Sequence, residues 1–302
     1  MNIEELNSLY SHAGYVTFKE GPEGFPVAHI TTPYATAIIT LYGAQLLSYT
    51  FATDTNDLLF LSEKAIFKEG TPIRGGVPIC WPWFGPDPQN QGRSDHGLAR
   101  TRMWNVVSSD LLNNRECRLI LELNDTPETY ALWPHRFRLT LTLTVGETLA
   151  MELTTHNLGD TAMELTQALH TYFKLGDITH TTITGLERFA YSDKTDGGAE
   201  KKADNPIRIH AETDRIYPFD GGDIVINDES FARNIRIKCE NSKTVVVWNP
   251  WIRVCKLKAD LTPEDYTKTV CIETANAGSE IITVQPKESY TLKALYSIEG
   301  DD

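Results

Sequence analysis

The sequence predicts an all-β chain: a large antiparallel β-sandwich with few short helices. Three observations carry this. Hydrophobicity repeats with a period of two along most of the chain, stripes at helical spacing are scarce, and strand-like runs follow one another from about residue 25 to 298 with no polar linker between them. The 302 residues could make two domains, but all-β folds of about 250 residues are often one. The reading is therefore a single sandwich over residues 25–302, preceded by an N-terminal extension, residues 1–24, with a short helix.

That helix is expected at Ile3–Tyr10. The clearest strand is Phe137–Val145. Phe137, Leu139, Leu141, Leu143 and Val145 alternate with Arg138, Thr140, Thr142 and Thr144, so one face meets a core and the other meets solvent. Gly146-Glu147 then separates this run from the next, 148–156. A two-residue Gly-X link suits a type II′ hairpin. Similar runs stand at 35–41, 46–51, 104–109, 117–123, 178–183, 235–239, 244–248, 281–284 and 290–297. Single helical turns are expected near 126–132 and 262–265, where Asp125 or Thr126 before Pro127, and Thr262 before Pro263, offer a cap followed by proline at the first helical position. The polar, glycine-containing stretch 193–205 reads as a surface loop.

The net charge of −13 weighs against nucleic acid and anionic membrane as partners, because both reward a basic surface. No segment approaches the ~18–20 apolar residues that span a bilayer. The first ten residues carry Glu4 and Glu5 and lack the basic and apolar regions of a signal peptide. Cys80, Cys117, Cys239, Cys255 and Cys271 are odd in number, scattered, and form no C-x-x-C. They read as reduced thiols, which with the absent leader implies a cytoplasmic protein.

Four segments break the strand pattern with residues that packing does not require. The first is 74–86, Arg74-Gly75-Gly76 followed by a run containing Trp81, Trp83 and Phe84. Two glycines permit close backbone approach to a ligand, and a guanidinium beside free backbone N–H groups makes an anion site. The rings offer faces for a sugar. A Trp-rich core turn with Arg74 in a structural ion pair would explain the same residues. The second, 95–100, sets His96 and Arg100 four apart with Gly97 between. The third, 165–173, places Ala168, His170 and Tyr172 on one face of a strand and Gln167, Leu169, Thr171 and Phe173 on the other. Histidine is the side chain best suited to exchanging a proton near neutral pH, although a satisfied core histidine looks the same in sequence. The fourth, 270–276, puts Glu273 at the end of an apolar strand, where acids are buried only when paired or functional. A P-loop, a G-x-G-x-x-G after a strand, zinc-like spacing and G-x-S-x-G are all missing from the sequence.

These segments resemble the aldose 1-epimerase superfamily, and within it the glucose-6-phosphate 1-epimerase (hexose-6-phosphate mutarotase) branch. The matching pieces are RGGVPICWPWFG at 74–85, HGLAR at 96–100, ALHTYF at 168–173, TDRIY at 213–217, WNPW at 248–251 and CIET at 271–274. They occur in the order of that branch and span most of the chain. One departure concerns position 95, where members of the branch often carry Gln and this chain has Asp95. An acid there suits a phosphate poorly and receives no binding role.

The resemblance implies a galactose-mutarotase-like sandwich with a cleft across one sheet. It implies His170 and Glu273 as the catalytic pair, with Arg74, His96, Arg100 and Asp214 as substrate contacts. The reaction expected is interconversion of the α and β anomers of glucose 6-phosphate or a related hexose 6-phosphate. Glu273 would take the proton of the anomeric hydroxyl and His170 would protonate the ring oxygen, with no metal or nucleotide cofactor. The guanidinium groups of Arg74 and Arg100 suit the phosphate, since each can bind an oxyanion through two hydrogen bonds. The expected partner is a small sugar phosphate, and the expected state a monomer. Two alternatives stand beside this reading. One is an epimerase of free aldoses. The other is a catalytically silent carbohydrate-binding regulator, which would not need a matched acid and base.

Overall fold

A computed structural model describes residues 1–113 and 115–300. Asn114, Asp301 and Asp302, within the expected 25–302 unit, lie outside the described residues.

The strand Phe137–Val145 forms as its alternation predicts. Its five apolar side chains are fully buried and its polar ones half-exposed. Each buried side chain of this size stabilises the fold by about 1.5–3 kcal/mol relative to exposure. The strand is central in an eight-stranded antiparallel sheet. Its order is Thr181–Thr184, Asp223–Asp228, Arg233–Glu240, Ser289–Gly300, Leu149–Asn157, Phe137–Val145, Cys117–Asn124, Asn105–Leu111. A second eight-stranded sheet faces it. There the order is Ala199–Lys202, Ala190–Asp193, Thr213–Pro218, Thr244–Asn249, Thr269–Asn276, Gln167–Leu169, Ile79–Cys80, with Tyr172–Lys174 also paired to Thr269–Asn276. The main core fills the space between them. Val245, Val247, Val270, Ile272 and Phe173 from one sheet meet Leu153, Leu292, Ala294 and Tyr296 from the other.

The hairpin after Val145 differs from expectation. Val145 pairs with Leu149, so three residues make the link, and Gly146 lies outside the left-handed region that a type II′ turn requires. A Cβ there would meet the end of the flexible Glu116 side chain at 2.2 Å, which would have to swing aside.

Residues 1–24 contribute more than a helix. Ile3–Tyr10 is helical, capped reciprocally by Asn2 and Glu5. A strand absent from the sequence reading, Val16–Glu20, pairs with Pro26–Thr31 and completes a four-stranded sheet with Ala35–Thr40 and Gln45–Phe51. Leu6, Val16 and Phe18 belong to the main core.

Other elements shift for identifiable reasons. Pro127–Leu132 is the expected helix, with Thr126 as cap. Around Thr262 no α-helix forms. Asp265 accepts from the Thr262 N–H and hydroxyl, and a 3₁₀ turn follows at Asp265–Thr267. The helix Trp251–Leu257 was not legible, because no polar residue occupies its N-cap. Asn249, the last residue of the preceding strand, reaches over to accept the Trp251 N–H at 2.8 Å. The expected loop 193–205 contains a hairpin instead: Ala190–Asp193 pairs with Ala199–Lys202 across a 3₁₀ turn, Lys194–Asp196. The second strand is an exposed edge, polar on both faces, and so shows no period.

Candidate active site

The strand Thr269–Asn276 lays down the site. All eight residues are buried, but to different ends. Val270 and Ile272 enter the sandwich core, while Cys271, Glu273 and Ala275 face away from it. Register extends that outer face sideways, since directly paired residues share a face. Trp248 stands opposite Cys271, Val246 opposite Glu273, Asp214 opposite Trp248, and Ala168 opposite both Ala275 and Cys80.

His170 completes the row. Gln167–Leu169 and Tyr172–Lys174 pair with Thr269–Asn276 in one continuous register, and that register places His170 opposite Glu273. The ladder opens at Thr171, whose N–H donates to Leu169 O (2.9 Å), while the N–H groups of His170 and Tyr172 bond the segment on the other side at Pro78 O (3.0 Å) and Gly76 O (2.9 Å). The side-chain alternation expected for 165–173 survives the break. Phe173 packs on Tyr296 in the core, and His170 and Tyr172 stack at 4.9 Å on the outer face.

His170 Nε2 lies 3.4 Å from Glu273 Oε1. Their side chains are 9% and 1% exposed. Burial pushes the Glu273 carboxyl well above its ordinary range, Asp214 adds to this, and Lys194 and Arg100 oppose it. Burial pushes the His170 imidazole well below its ordinary value, and His96, Arg100 and Arg74 push the same way. Both shifts favour the uncharged forms, a carboxyl beside an imidazole. His170 Nδ1 and Glu273 Oε2 are buried and make no hydrogen bond. Leaving such atoms unsatisfied costs about 1–3 kcal/mol each.

His96 is delivered by a chain crossing. Gly97 has φ 78°, and a Cβ there would meet Trp81 O at 2.0 Å, so only glycine lets the two segments touch. Leu98 N–H donates to Trp81 O at 2.8 Å. His96 itself takes a left-handed φ of 61°. Its Nδ1 accepts the Gly85 N–H at 3.2 Å. Burial and the cations Arg100, Lys194 and Arg74 lower its pKa to about 3. The ring is thus neutral with its proton on Nε2, a fixed donor 5.7 Å from the His170 ring, centroid to centroid.

Arg74 bonds Asp260 through Nε (3.0 Å) and the Tyr172 hydroxyl through NH1 (3.0 Å). Arg100 donates from NH2 to the Asp95 backbone carbonyl at 2.8 Å, and its buried Nε has no partner. The Asp95 residue is exposed and meets Arg100 only through its carbonyl, so an acid is tolerated there. Asp214, 30% exposed, lies 4.0 Å from Lys194 Nζ, and Lys194 is 37% exposed. Lys194 also approaches the Phe84 ring at 6.0 Å. Sequence reasoning missed Lys194, Tyr172 and Asp260. Tyr172 could have been found from its place beside His170 on the strand, but nothing distinguishes Lys194 or Asp260 from surface charges.

Parts of the segment 74–86 serve differently from expectation. Gly75 and Gly76 approach the chain's own backbone: Cβ atoms would meet Phe60 O at 2.4 Å and Leu46 O at 2.1 Å. The Gly76 and Val77 N–H groups donate to Phe60 O and Leu46 O, so they form no anion nest. Trp81 is buried against Trp133 and Phe137, with its indole N–H on Thr155. Trp83 is covered by Arg93. Only Phe84 of the three rings borders the site, edge-on to His96.

A carboxyl and an imidazole side by side can serve two oxygens bonded to the same carbon, one as base and one as acid. The surrounding cations favour an anionic ligand. Comparisons with known proteins identify the family. The aldose 1-epimerase family model matches residues 26–297. A protein of Escherichia coli (strain K12), named "Putative glucose-6-phosphate 1-epimerase", is 36% identical over 265 residues, 87% of each chain. A crystal structure of a "putative mutarotase" from Salmonella typhimurium superposes with a TM-score of 0.89 at 29% identity, covering 99% of both chains. A galactose mutarotase-like protein from Clostridium acetobutylicum, at 14% identity and covering 95% of this chain and 99% of its own, shares the fold with a TM-score of 0.75. The architecture is the galactose mutarotase-like sandwich, and the chain belongs to the aldose 1-epimerase family.

Proposed function

We propose that this protein is a hexose-6-phosphate mutarotase that interconverts the α and β anomers of glucose 6-phosphate. The observation that carries the reading is the cross-strand pair His170–Glu273, 3.4 Å apart, with three cations bearing on it from its surroundings. Its relatives' names point the same way.

Ring opening removes the proton from the anomeric hydroxyl and adds one to the ring oxygen. Glu273 as carboxylate takes the first and His170 as imidazolium gives the second. Rotation about C1–C2 turns over the aldehyde face, and closure reverses both transfers. The pair ends with the same single proton, so turnover needs no exchange with solvent. Positioned acid–base groups contribute about 10²–10⁴-fold each. His96 Nε2–H and the Asp214 carboxyl suit the sugar hydroxyls. Arg100, with its unsatisfied Nε, and Arg74 suit the phosphate. Lys194 adds a third cation. These local charges outweigh the net −13 because most of the surface lies beyond a Debye length of ~8 Å.

Among the described residues no helix is long and apolar enough to cross a membrane. The five cysteines are free thiols. We read the protein as a cytoplasmic monomer acting on a small sugar phosphate rather than on nucleic acid. The test is anomer exchange of glucose 6-phosphate by two-dimensional exchange NMR, with free glucose in parallel. Acceleration of the phosphate well beyond that of glucose is expected. Equal acceleration would assign the protein to free aldoses, and binding without acceleration would make it a carbohydrate-binding protein.

A further inference from the structure

An acid–base histidine is commonly aimed by a hydrogen bond from its second ring nitrogen to a third group. His170 has no such bond. Its Nε2 faces Glu273, and its buried Nδ1 finds no hydrogen-bond partner among the described residues. Aromatic rings meet the imidazole instead. Tyr172, two residues on and so on the same face of the strand, stacks on it with centroids 4.9 Å apart and planes within 10°. His96 and Trp248 stand edge-on to it at 5.7 and 6.0 Å.

Tyr172 is itself tied at both ends. Its backbone N–H donates to Gly76 O and its carbonyl accepts the Phe60 N–H, each at 2.9 Å. At the far end of the ring, the hydroxyl accepts from Arg74 NH1 at 3.0 Å. Arg74 is anchored in turn, with Nε and NH2 each 3.0 Å from Asp260 Oδ2. The glycines at 75 and 76 let this segment lie close enough for the Arg74 bond, since a Cβ on either would strike backbone. The χ2 torsion of tyrosine is broad, so stacking alone leaves such a ring free to rock. A ring held at Cα and at its hydroxyl is not.

We propose that Tyr172 is the positioning residue of His170: tied to Arg74 and through it to Asp260, its ring is the fixed plane that keeps the imidazole aimed at Glu273 and at the sugar's ring oxygen. The stack does for this histidine what a hydrogen bond to Nδ1 does elsewhere. The inference rests on the mutarotase reading and deepens it. Arg74 then has a part in the chemical step, for either sugar, besides any contact with phosphate, and Asp260 serves the reaction without touching the substrate.

The test measures kcat and KM of full-length variants by anomer exchange of glucose 6-phosphate, with the slower exchange of glucose in parallel. Tyr172→Phe keeps the stacked ring and removes only the tie at its far end. It should lower kcat for glucose 6-phosphate by about 10–10²-fold, the cost of a misaligned catalytic group, and glucose exchange by the same factor, with KM for glucose 6-phosphate unchanged. Asp260→Ala leaves the tyrosine and the arginine in place but frees the arginine, and should give the same pattern. Asp260→Asn keeps an acceptor oxygen and should lose less. Because both residues act on one ring, the double variant Tyr172→Phe/Asp260→Ala should lose no more than the worse single one. Asp260 lies in a turn, so its variants report even where a change at buried Tyr172 unsettles the fold. An undiminished kcat in folded Tyr172→Phe and Asp260→Ala would overturn the proposal and leave the mutarotase reading intact. So would a raised KM with kcat unchanged, which would make the tie a substrate contact, or losses that add in the double variant. Wild-type protein that does not accelerate glucose 6-phosphate exchange at all would overturn both.

Discussion

At the scale of single residues, the site is two titratable groups whose surroundings drive their pKa values apart. Replacing His170 with Asn or Glu273 with Gln should each lower kcat for glucose 6-phosphate exchange by about 10²–10⁴-fold while the circular dichroism spectrum stays native. Glu273→Gln should also raise the Tm. The folded carboxyl titrates above its ordinary value of 4.5, so the wild-type protein binds the proton more tightly folded than unfolded and loses relative stability as pH climbs through the folded pKa. The gap between variant and wild type should therefore widen with pH, and a gap that narrows would contradict the buried, protonated carboxyl. The same shifts set the pH–rate profile. The one-proton pair persists from the lowered pKa of His170 to the raised pKa of Glu273, which predicts a broad plateau around neutrality. Activity should fall on the acid side as the pair gains a second proton and on the alkaline side as it loses its only one. The arginines separate by their partners. Arg100→Ala should weaken glucose 6-phosphate far more than glucose, read as kcat/KM for the two sugars. Arg74→Ala also strips Asp260 and Tyr172 of their partner, so it should harm both.

At the scale of elements, the site depends on two arrangements that no single residue shows. One is the interrupted pairing at 170–171, where the Thr171 N–H turns back to Leu169 O and the His170 N–H bonds Pro78 O while the side chains keep their register. The other is the contact of 96–98 with Trp81, which only Gly97 permits. Gly97→Ala forces a Cβ into a carbonyl at 2.0 Å and strains φ 78°, so the crossing must part and carry His96 away. Measured by exchange NMR, this variant should lose activity toward both sugars even where it folds. In the core, Leu141→Ala should cost about 2–5 kcal/mol in chemical denaturation with KM of the folded enzyme unchanged, because Leu141 lies in the sheet away from the site.

At the scale of the whole molecule, the candidate site lies on the outer face of one of two facing eight-stranded sheets. The N-terminal segment belongs to the same packing, since Leu6, Val16 and Phe18 share its core. Deleting residues 1–24 removes these three core side chains, whose burial is worth about 1.5–3 kcal/mol each, and leaves Pro26–Thr31 as an edge paired on one side only. The truncated chain should unfold at markedly lower denaturant, and an unchanged midpoint would mark the segment as a separate extension. The sequence by itself determined the all-β class, the long strands with strict alternation and the family resemblance, because period-two burial and short motifs are local properties. It also supplied His170, Glu273, Arg74, His96, Arg100 and Asp214 as candidates, without saying which would meet. Only the tertiary structure decided that His170 and Glu273 are cross-strand neighbours and that the glycines of 75–76 serve the chain's own crossing. Only it brought Lys194 from an apparent loop and Asp260 from a turn to the rim. Register, chain crossings and ion pairs join residues far apart in sequence, and the free energy that selects them lies in packing between segments, which no local pattern records.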